Sequence, residues 1–265
     1  MLLAIDAGNT NIVFAVFDGE TIKGQWRCST TVERTADELG VWLHHLFELS
    51  GVPRDAIKGA IIATVVPAAE FSLKTLCRQY FNVDPMIVGA PNIDLKMKVI
   101  MDRPSEVGAD RLVNAVAAHR LFGGPLVVLD FGTATTFDVV DGQGNYLGGI
   151  IAPGVNLSIK ALHMAAAQLP MVAVEAPGSV VGKNTIEAMQ SGVYWGYISM
   201  IEGLLARIRS QQNEPAMKVV ATGGLAPLFA RAIDEIGHSH GDLTMMGLLM
   251  IYRQNLENDK AGQLA

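Results

Sequence analysis

One pattern occurs twice in this chain, and few folds accommodate it. LLAIDAGNTNIVFAVFDG begins at Leu2 and LVVLDFGTATTFDVVDG begins at Leu126. Each copy has four apolar residues, Asp-x-Gly, a small polar turn, an apolar strand and a closing Asp-Gly. Asp6 aligns with Asp130, Gly8 with Gly132 and Asn9 with Thr133. Either copy alone is an ordinary hairpin signal. Two copies at a domain-sized spacing predict an internal duplication.

The segments between the copies alternate in period. Strands are expected at 2–5, 12–17, 21–28, 57–66, 85–88 and 217–221. Helices are expected from Thr35 to Gly51, and at 68–80, 105–122, 155–167, 184–210, 225–236 and 242–256. Strands interleaved with helices predict an α/β protein. Ser105 is the expected cap of the 105–122 helix. Gly123-Gly124-Pro125 ends that helix and marks the boundary. The expected domains are therefore 1–123 and 124–256, followed by a polar tail at 257–265.

Charge and composition narrow the function. The formal net charge of −6 disfavours nucleic acid and anionic membranes as partners, because both select basic surfaces. An anionic substrate then needs a local basic site. Half of the residues are hydrophobic, yet no run approaches the roughly 18 apolar residues of a membrane span. Met1 to Asp6 lacks a basic leader region and reads as a strand, and the protein is expected in the cytoplasm. Cys28 and Cys77 lie far apart and suit reduced thiols.

The repeated turn has chemistry of its own. In Asp6-Ala7-Gly8-Asn9-Thr10 the glycine lets backbone approach a ligand, and successive N–H groups can form an anion-binding concavity. Asn9, Thr10 and Asn11 add neutral donors. An aspartate repels phosphate by itself, so Asp6 makes sense if it holds a cation or a cation-bound water there. In the second copy, Thr133, Ala134, Thr135 and Thr136 run into a strand. The last two threonines are either phosphate donors or ordinary strand residues. Thr222-Gly223-Gly224, between an apolar strand and a helix, can let backbone lie flat against an adenine or ribose.

Between the copies lies Pro104-Ser105-Glu106-Val107-Gly108-Ala109-Asp110-Arg111. A carboxylate at Asp110 can accept the proton of a hydroxyl attacking a γ-phosphate, and Arg111 can grip a substrate carboxylate. A surface ion pair in a helix's first turn would use the same residues. Two look-alikes fail. Asp130-Phe131-Gly132 lacks the loops that accompany it in protein kinases. The stretch 178–184 is one residue short of a Walker A loop and has Asn184 where a hydroxyl is required. His238 and His240 read as a solvated loop before the last helix.

These motifs together resemble the type III pantothenate kinase family, within the acetate/sugar kinase and actin-like superfamily. The resemblance rests on DAGNT at 6–10, GADR at 108–111, DFGTATTFD at 130–138, GGIIAPG at 148–154, GKNT at 182–185 and TGG at 222–224. It implies a duplicated ribonuclease H-like fold, two mixed-sheet domains flanking a nucleotide cleft. It implies ATP-dependent phosphorylation of pantothenate, the first step toward coenzyme A, with Asp110 as general base. Asp6, Ala7, Gly8, Asn9, Thr10, Asn11, Ile12 and Val13 would form the first phosphate loop, with Thr133 and Gly223 also on the nucleotide. Gly108, Ala109, Asp110, Arg111 and Thr185 would meet pantothenate. Asp130 would bind a monovalent cation, potassium or ammonium, and Mg²⁺ would accompany ATP. A homodimer is implied, with Gln190, Ser191 and Gly192 on the helix contributing to its interface.

Two positions depart from the family pattern. Met101 stands where relatives often carry a tyrosine that packs on pantothenate. Val13 stands where some relatives have a basic residue, which throws phosphate neutralisation onto cations. Met101 keeps open another small hydroxyl substrate. A noncatalytic regulator is the other alternative, and would predict damage at Asp6, Asp110 or Asp130. All three are intact.

Overall fold

The structure, a computed structural model, describes residues 1–166 and 169–263. The chain forms two compact units. The first comprises 1–98, 102–117 and 242–265; the second comprises 99–101 and 118–241.

The first unit is built on β1 (Leu2–Ala7), β2 (Asn11–Asp18), β3 (Thr21–Ser29), β4 (Gly59–Thr64) and β5 (Met86–Ile87), in the order β3-β2-β1-β4-β5. β1 pairs antiparallel with β2 and parallel with β4, so the sheet is mixed. Central β1 is buried on both faces, which is why its sequence is apolar without a polar alternation. Leu3, Ile5 and Ala7 pack toward α1 (Ala36–Ser50) and α2 (Pro67–Phe81). Leu2 and Ala4 share the opposite core with Val113 and Val116 of α3 (Ala109–Phe122) and with Met245, Leu248 and Leu249 of α7 (Leu243–Gln263). By the two-residue period of a strand, Asp6 continues the α3–α7 face. Helix α1 begins at a reciprocal cap between Thr35 and Glu38 and stops at Gly51, whose φ of 67° suits glycine.

The second unit repeats the plan with β6 (Leu126–Phe131), β7 (Ala134–Val140), β8 (Tyr146–Pro153), β9 (Lys218–Gly223) and β10 (His238–Ser239), ordered β10-β9-β6-β7-β8. Again the first strand pairs antiparallel with the second and parallel with a later one. The repeat extends to a defect: the register shifts between Val16 and Phe17 in one sheet and between Val139 and Val140 in the other. The core of this unit gathers Val127, Leu129, Phe131 and Phe137 against α4 (Val155–Ala165), α5 (Thr185–Gln212) and α6 (Ala226–Phe229). Phe229 stacks on Phe131 at 5.0 Å between ring centroids. None of the described helices is long and apolar enough to cross a membrane.

The structure departs from the sequence expectations at several places. The last helix, assigned by sequence order to 124–256, belongs by contacts to the first unit. Its apolar residues cover the sheet face that α1 and α2 leave bare, and a sheet buried on both sides needs that second layer. The helix continues through residues 257–263 of the expected polar tail, and 264–265 lie outside the described residues. The expected 225–236 helix is helical only at Ala226–Phe229. Ile233 and Ile236 are buried at helical spacing, but tighter bonds to residues three positions back, such as Ile236 N–H to Ile233 O, turn the chain there. Ser105 lies in a separate 3₁₀ turn at Pro104–Glu106, so it does not cap α3. Residue 167 of the expected 155–167 helix lies outside the described residues. In the expected loop at 237–242, His238 and Ser239 pair with β9 as an edge strand.

Candidate active site

In the first unit, the Asp6–Val13 segment and the Gly108–Arg111 segment are linked through Val65, which follows β4 and bonds to the end of β1. This end of an α/β sheet is where ligands ordinarily bind, because loops converge there and leave a crevice. The turn is closed by Gly8 N–H donating to Asn11 O at 3.0 Å. Asp6 faces Val13 across the hairpin and Ala7 faces Ile12. Asn9 and Thr10 are exposed at the tip, and Ile12 is buried in the core. Thr30, just past β3, secures the turn from the side: its hydroxyl donates to Gly8 O at 2.6 Å, and its N–H donates to Thr10 O at 2.9 Å.

Asp110 lies in the first turn of α3, half-buried. Its Oδ1 accepts from Arg111 N–H at 2.7 Å. Burial pushes its carboxyl above the usual aspartate range, and the hydrogen bond and charge from Arg111 offset that only in part. Gly108 makes the geometry possible. A Cβ there would stand 2.6 Å from Asp110 Oδ1 and 3.1 Å from Val65 Cγ1. Val65 N–H donates in turn to Ala7 O at 3.1 Å. A contiguous path therefore runs from the Asp110 carboxylate through Gly108 and Val65 to the residue after Asp6.

The second unit assembles Asp130, Thr133 and Gly223. Asp130 pairs with Thr136 on one side and Thr222 on the other. Gly132 N–H donates to Ala134 O at 3.0 Å, making this loop one residue tighter than the first. Gly132 and Thr133 are exposed. Gly223 has a φ of +90°, and a Cβ there would lie 2.6 Å from both Asp130 Oδ1 and Phe131 O. The bare glycine lets the Asp130 carboxylate and the Phe131 carbonyl lie close against this strand end, two oxygen atoms brought together. Among the described residues no three acidic, histidine or cysteine side chains cluster as a metal site. A cation at Asp6 or Asp130 would therefore complete its shell with phosphate, hydroxyl, carbonyl or water oxygens, as weakly dehydrated hard cations do.

Thr135 and Thr136 both lie within β7. Thr135 is fully buried, with its hydroxyl unpartnered, in the strand interior. Thr136 donates to Asp138 Oδ2 at 3.1 Å, and Tyr146 donates to Asp138 Oδ1 at 2.7 Å. Both are strand threonines rather than loop residues. Thr222 donates to His240 O at 2.8 Å, which fixes the start of the Gly223 turn.

Thr185 opens α5, on a trough of about 590 Å³ between α4 and α5. Asn184, which breaks the Walker pattern, caps this helix by accepting from Glu187 N–H at 3.0 Å. Met101 is 39 % exposed in the second unit. Thr30 and Val65 escaped the sequence reading because nothing local distinguishes them from ordinary strand-end residues. Gly154 was signalled only by the GGIIAPG motif. It underlies the second loop so closely that a Cβ would overlap Thr133 O.

The model of the family described as type III pantothenate kinase matches residues 2–207. A type III pantothenate kinase of Paramagnetospirillum magneticum is 61 % identical over 96 % of this chain and 98 % of its own length. One from Rhodospirillum rubrum is 60 % identical over 96 % of this chain and 99 % of its own. Among solved structures, the activator of 2-hydroxyisocaproyl-CoA dehydratase from Clostridium difficile, with bound ADPNP, superposes with a TM-score of 0.56 at 13 % identity, covering 98 % of this chain and 97 % of that one. At that identity the likeness shows the fold alone, the duplicated ribonuclease H-like class. With two mixed sheets each led by an Asp-x-Gly hairpin, and near-full-length identity to curated relatives, the chain belongs to the type III pantothenate kinase family.

Proposed function

We propose that this protein transfers the γ-phosphoryl group of ATP to the hydroxyl of pantothenate, giving 4'-phosphopantothenate, with Asp110 as the general base. One observation carries the reading: a half-buried carboxylate, raised by burial, sits on a path of contacts to the Asp6–Thr10 turn. A carboxylate whose pKa is raised accepts a proton more readily than a solvated one. Phosphoryl transfer otherwise demands mostly positioning and charge neutralisation. The N–H groups around Gly8 and Gly132, with Asn9, Thr10 and Thr133, serve as phosphate donors. Asp6 and Asp130 hold cations, Mg²⁺ with ATP and potassium or ammonium at Asp130, whose chemistry is neutralisation of phosphate charge. Gly223 lies on the nucleotide, and Arg111, Gly108, Ala109, Met101 and Thr185 contact pantothenate.

The test is product formation by purified protein with ATP, Mg²⁺ and potassium, with and without pantothenate. Pantothenate-dependent phosphorylated product that falls sharply when sodium replaces potassium is expected. No product from folded protein at saturating substrate would refute the reaction.

The protein is further proposed to act as a homodimer in the cytoplasm. The α4–α5 trough is apolar, and Leu157, Leu162, Met164, Ile186 and Trp195 of these two helices are exposed. A second copy would cover such a patch. Sedimentation equilibrium is expected to report twice the 28.3 kDa chain mass. A species that stays at the chain mass at assay concentrations contradicts the dimer.

A further inference from the structure

Helix α3 buries an asparagine where an apolar residue would pack. Asn114 lies one turn beyond Asp110 and is 1 % exposed, while Val113, Ala115, Val116 and Ala117 beside it are all buried. A buried amide costs free energy unless it is hydrogen-bonded. Its Oδ1 accepts from the Thr244 hydroxyl at 2.7 Å, in the first turn of α7 and 130 residues away along the chain. An apolar pair would fill this space with no polar group to satisfy. What the polar pair adds is register: apolar surfaces tolerate axial sliding, and a directed hydrogen bond does not.

The neighbouring contact shows why register needs fixing here. At Gly247, α7 approaches α3 so closely that a Cβ would stand 2.5 Å from Val113 O and 2.6 Å from Val113 Cγ1. Gly247 has no side chain to key one helix against the other. On its other flank α7 packs on β1, through Met245, Leu248 and Leu249 beside Leu2 and Ala4. The start of α7 is tied to β3 by Gln25 Nε2, which donates to Asp242 Oδ1 at 3.1 Å. The same helix thus abuts the element that carries Asp110 and the strand that carries Asp6.

We propose that Thr244 and Asn114 are a positioning pair: their hydrogen bond sets the axial position of α3 against α7, and so the place of the Asp110 carboxylate beside the Asp6–Thr10 turn. Neither side chain is assigned a substrate contact. The inference rests on Asp110 as the base.

Thr244→Val removes the hydroxyl and keeps the shape; Thr244→Ser keeps the hydroxyl and loses a methyl. The valine variant is expected to lose about ten-fold or more in kcat with KM for ATP changed less than about two-fold, while the serine variant keeps the parent kcat. The doubly apolar Asn114→Leu/Thr244→Val variant is expected to melt no lower than Thr244→Val alone and to remain slow. Recovery of the parent kcat in that double variant, an unimpaired Thr244→Val, or equal losses in the valine and serine variants would reduce the pair to packing. Titration of the Asp110 carboxyl by ¹³C NMR reads the geometry without turnover. It is expected to shift in Thr244→Val and not in Thr244→Ser. An unmoved titration in Thr244→Val overturns the positioning role even if the parent protein fails to phosphorylate pantothenate, the result that would instead refute the proposed reaction.

Discussion

Asp110→Asn is expected to lower kcat by about 10²–10⁴-fold, the usual contribution of a positioned general base, with ATP binding retained. The substitution is nearly isosteric, so the Gly108 and Val65 packing around it survives. The same variant is expected to be more stable than the parent at neutral pH. Burial raises the carboxyl of Asp110 in the folded protein. The fold therefore favours its protonated form. The resulting stabilisation is fully present below the unfolded-state pKa and is lost as pH rises through the raised folded-state value. At neutral pH the parent bears the cost of a half-buried charge and the asparagine variant does not. Thermal melts against pH should show the difference narrowing as the solution is acidified. In the parent, kcat/KM should climb with pH on an acid limb placed above the ordinary carboxylate range, and that limb should vanish in the variant. Normal turnover by Asp110→Asn would remove Asp110 from the base role. A lower melting temperature at neutral pH would show that the carboxylate is held by stronger contacts than its burial opposes.

The second large effect is expected at Gly223→Ala. At a φ of +90° an alanine is strained, at a cost of about 1–3 kcal/mol. Its Cβ would also meet Asp130 Oδ1 and Phe131 O, both at 2.6 Å. The backbone of Phe131 has little freedom to retreat, because its ring is stacked on buried Phe229 and its strand is paired on both sides. The Asp130 carboxylate must turn instead. Turnover should fall on the order of 10²-fold, the scale of an ångström-sized misplacement, and stimulation by potassium over sodium should disappear. KM for pantothenate should stay near the parent value, since the residues proposed to contact it lie elsewhere. Initial rates across the two salts, beside a thermal melt, make the comparison. A variant that keeps both its rate and its potassium response would show that Asp130 holds no cation of consequence.

The two halves place a glycine against a key aspartate in different ways. Gly108 precedes its aspartate by two residues in the chain, whereas Gly223 reaches Asp130 from the neighbouring parallel strand. Both leave out a Cβ where a carboxylate oxygen lies. The first contact is local and was visible as Gly-Ala-Asp-Arg. The second depends on strand pairing across 93 positions, from 130 to 223, and the TGG motif alone suggested only room for a base or ribose.

Periodicity, turn chemistry and the repeat were enough to read the α/β class, the duplication and the two hairpins, because each is written in residues adjacent along the chain. Asp6 and Asp130 stood out because each lies two residues before a glycine in a short polar turn, and Asp110 because it follows Gly108 at a helix start. Contacts between distant segments were not legible. Nothing local marks Thr30 as the brace of the first loop, Val65 as the bridge to Gly108, or Asn114 as the partner of Thr244. The last helix is the clearest case: its sequence specifies an apolar face but not which sheet the face covers. That choice was made by the uncovered side of β1 and β4, where Leu2, Ala4, Ile61 and Ala63 needed a second layer to leave water.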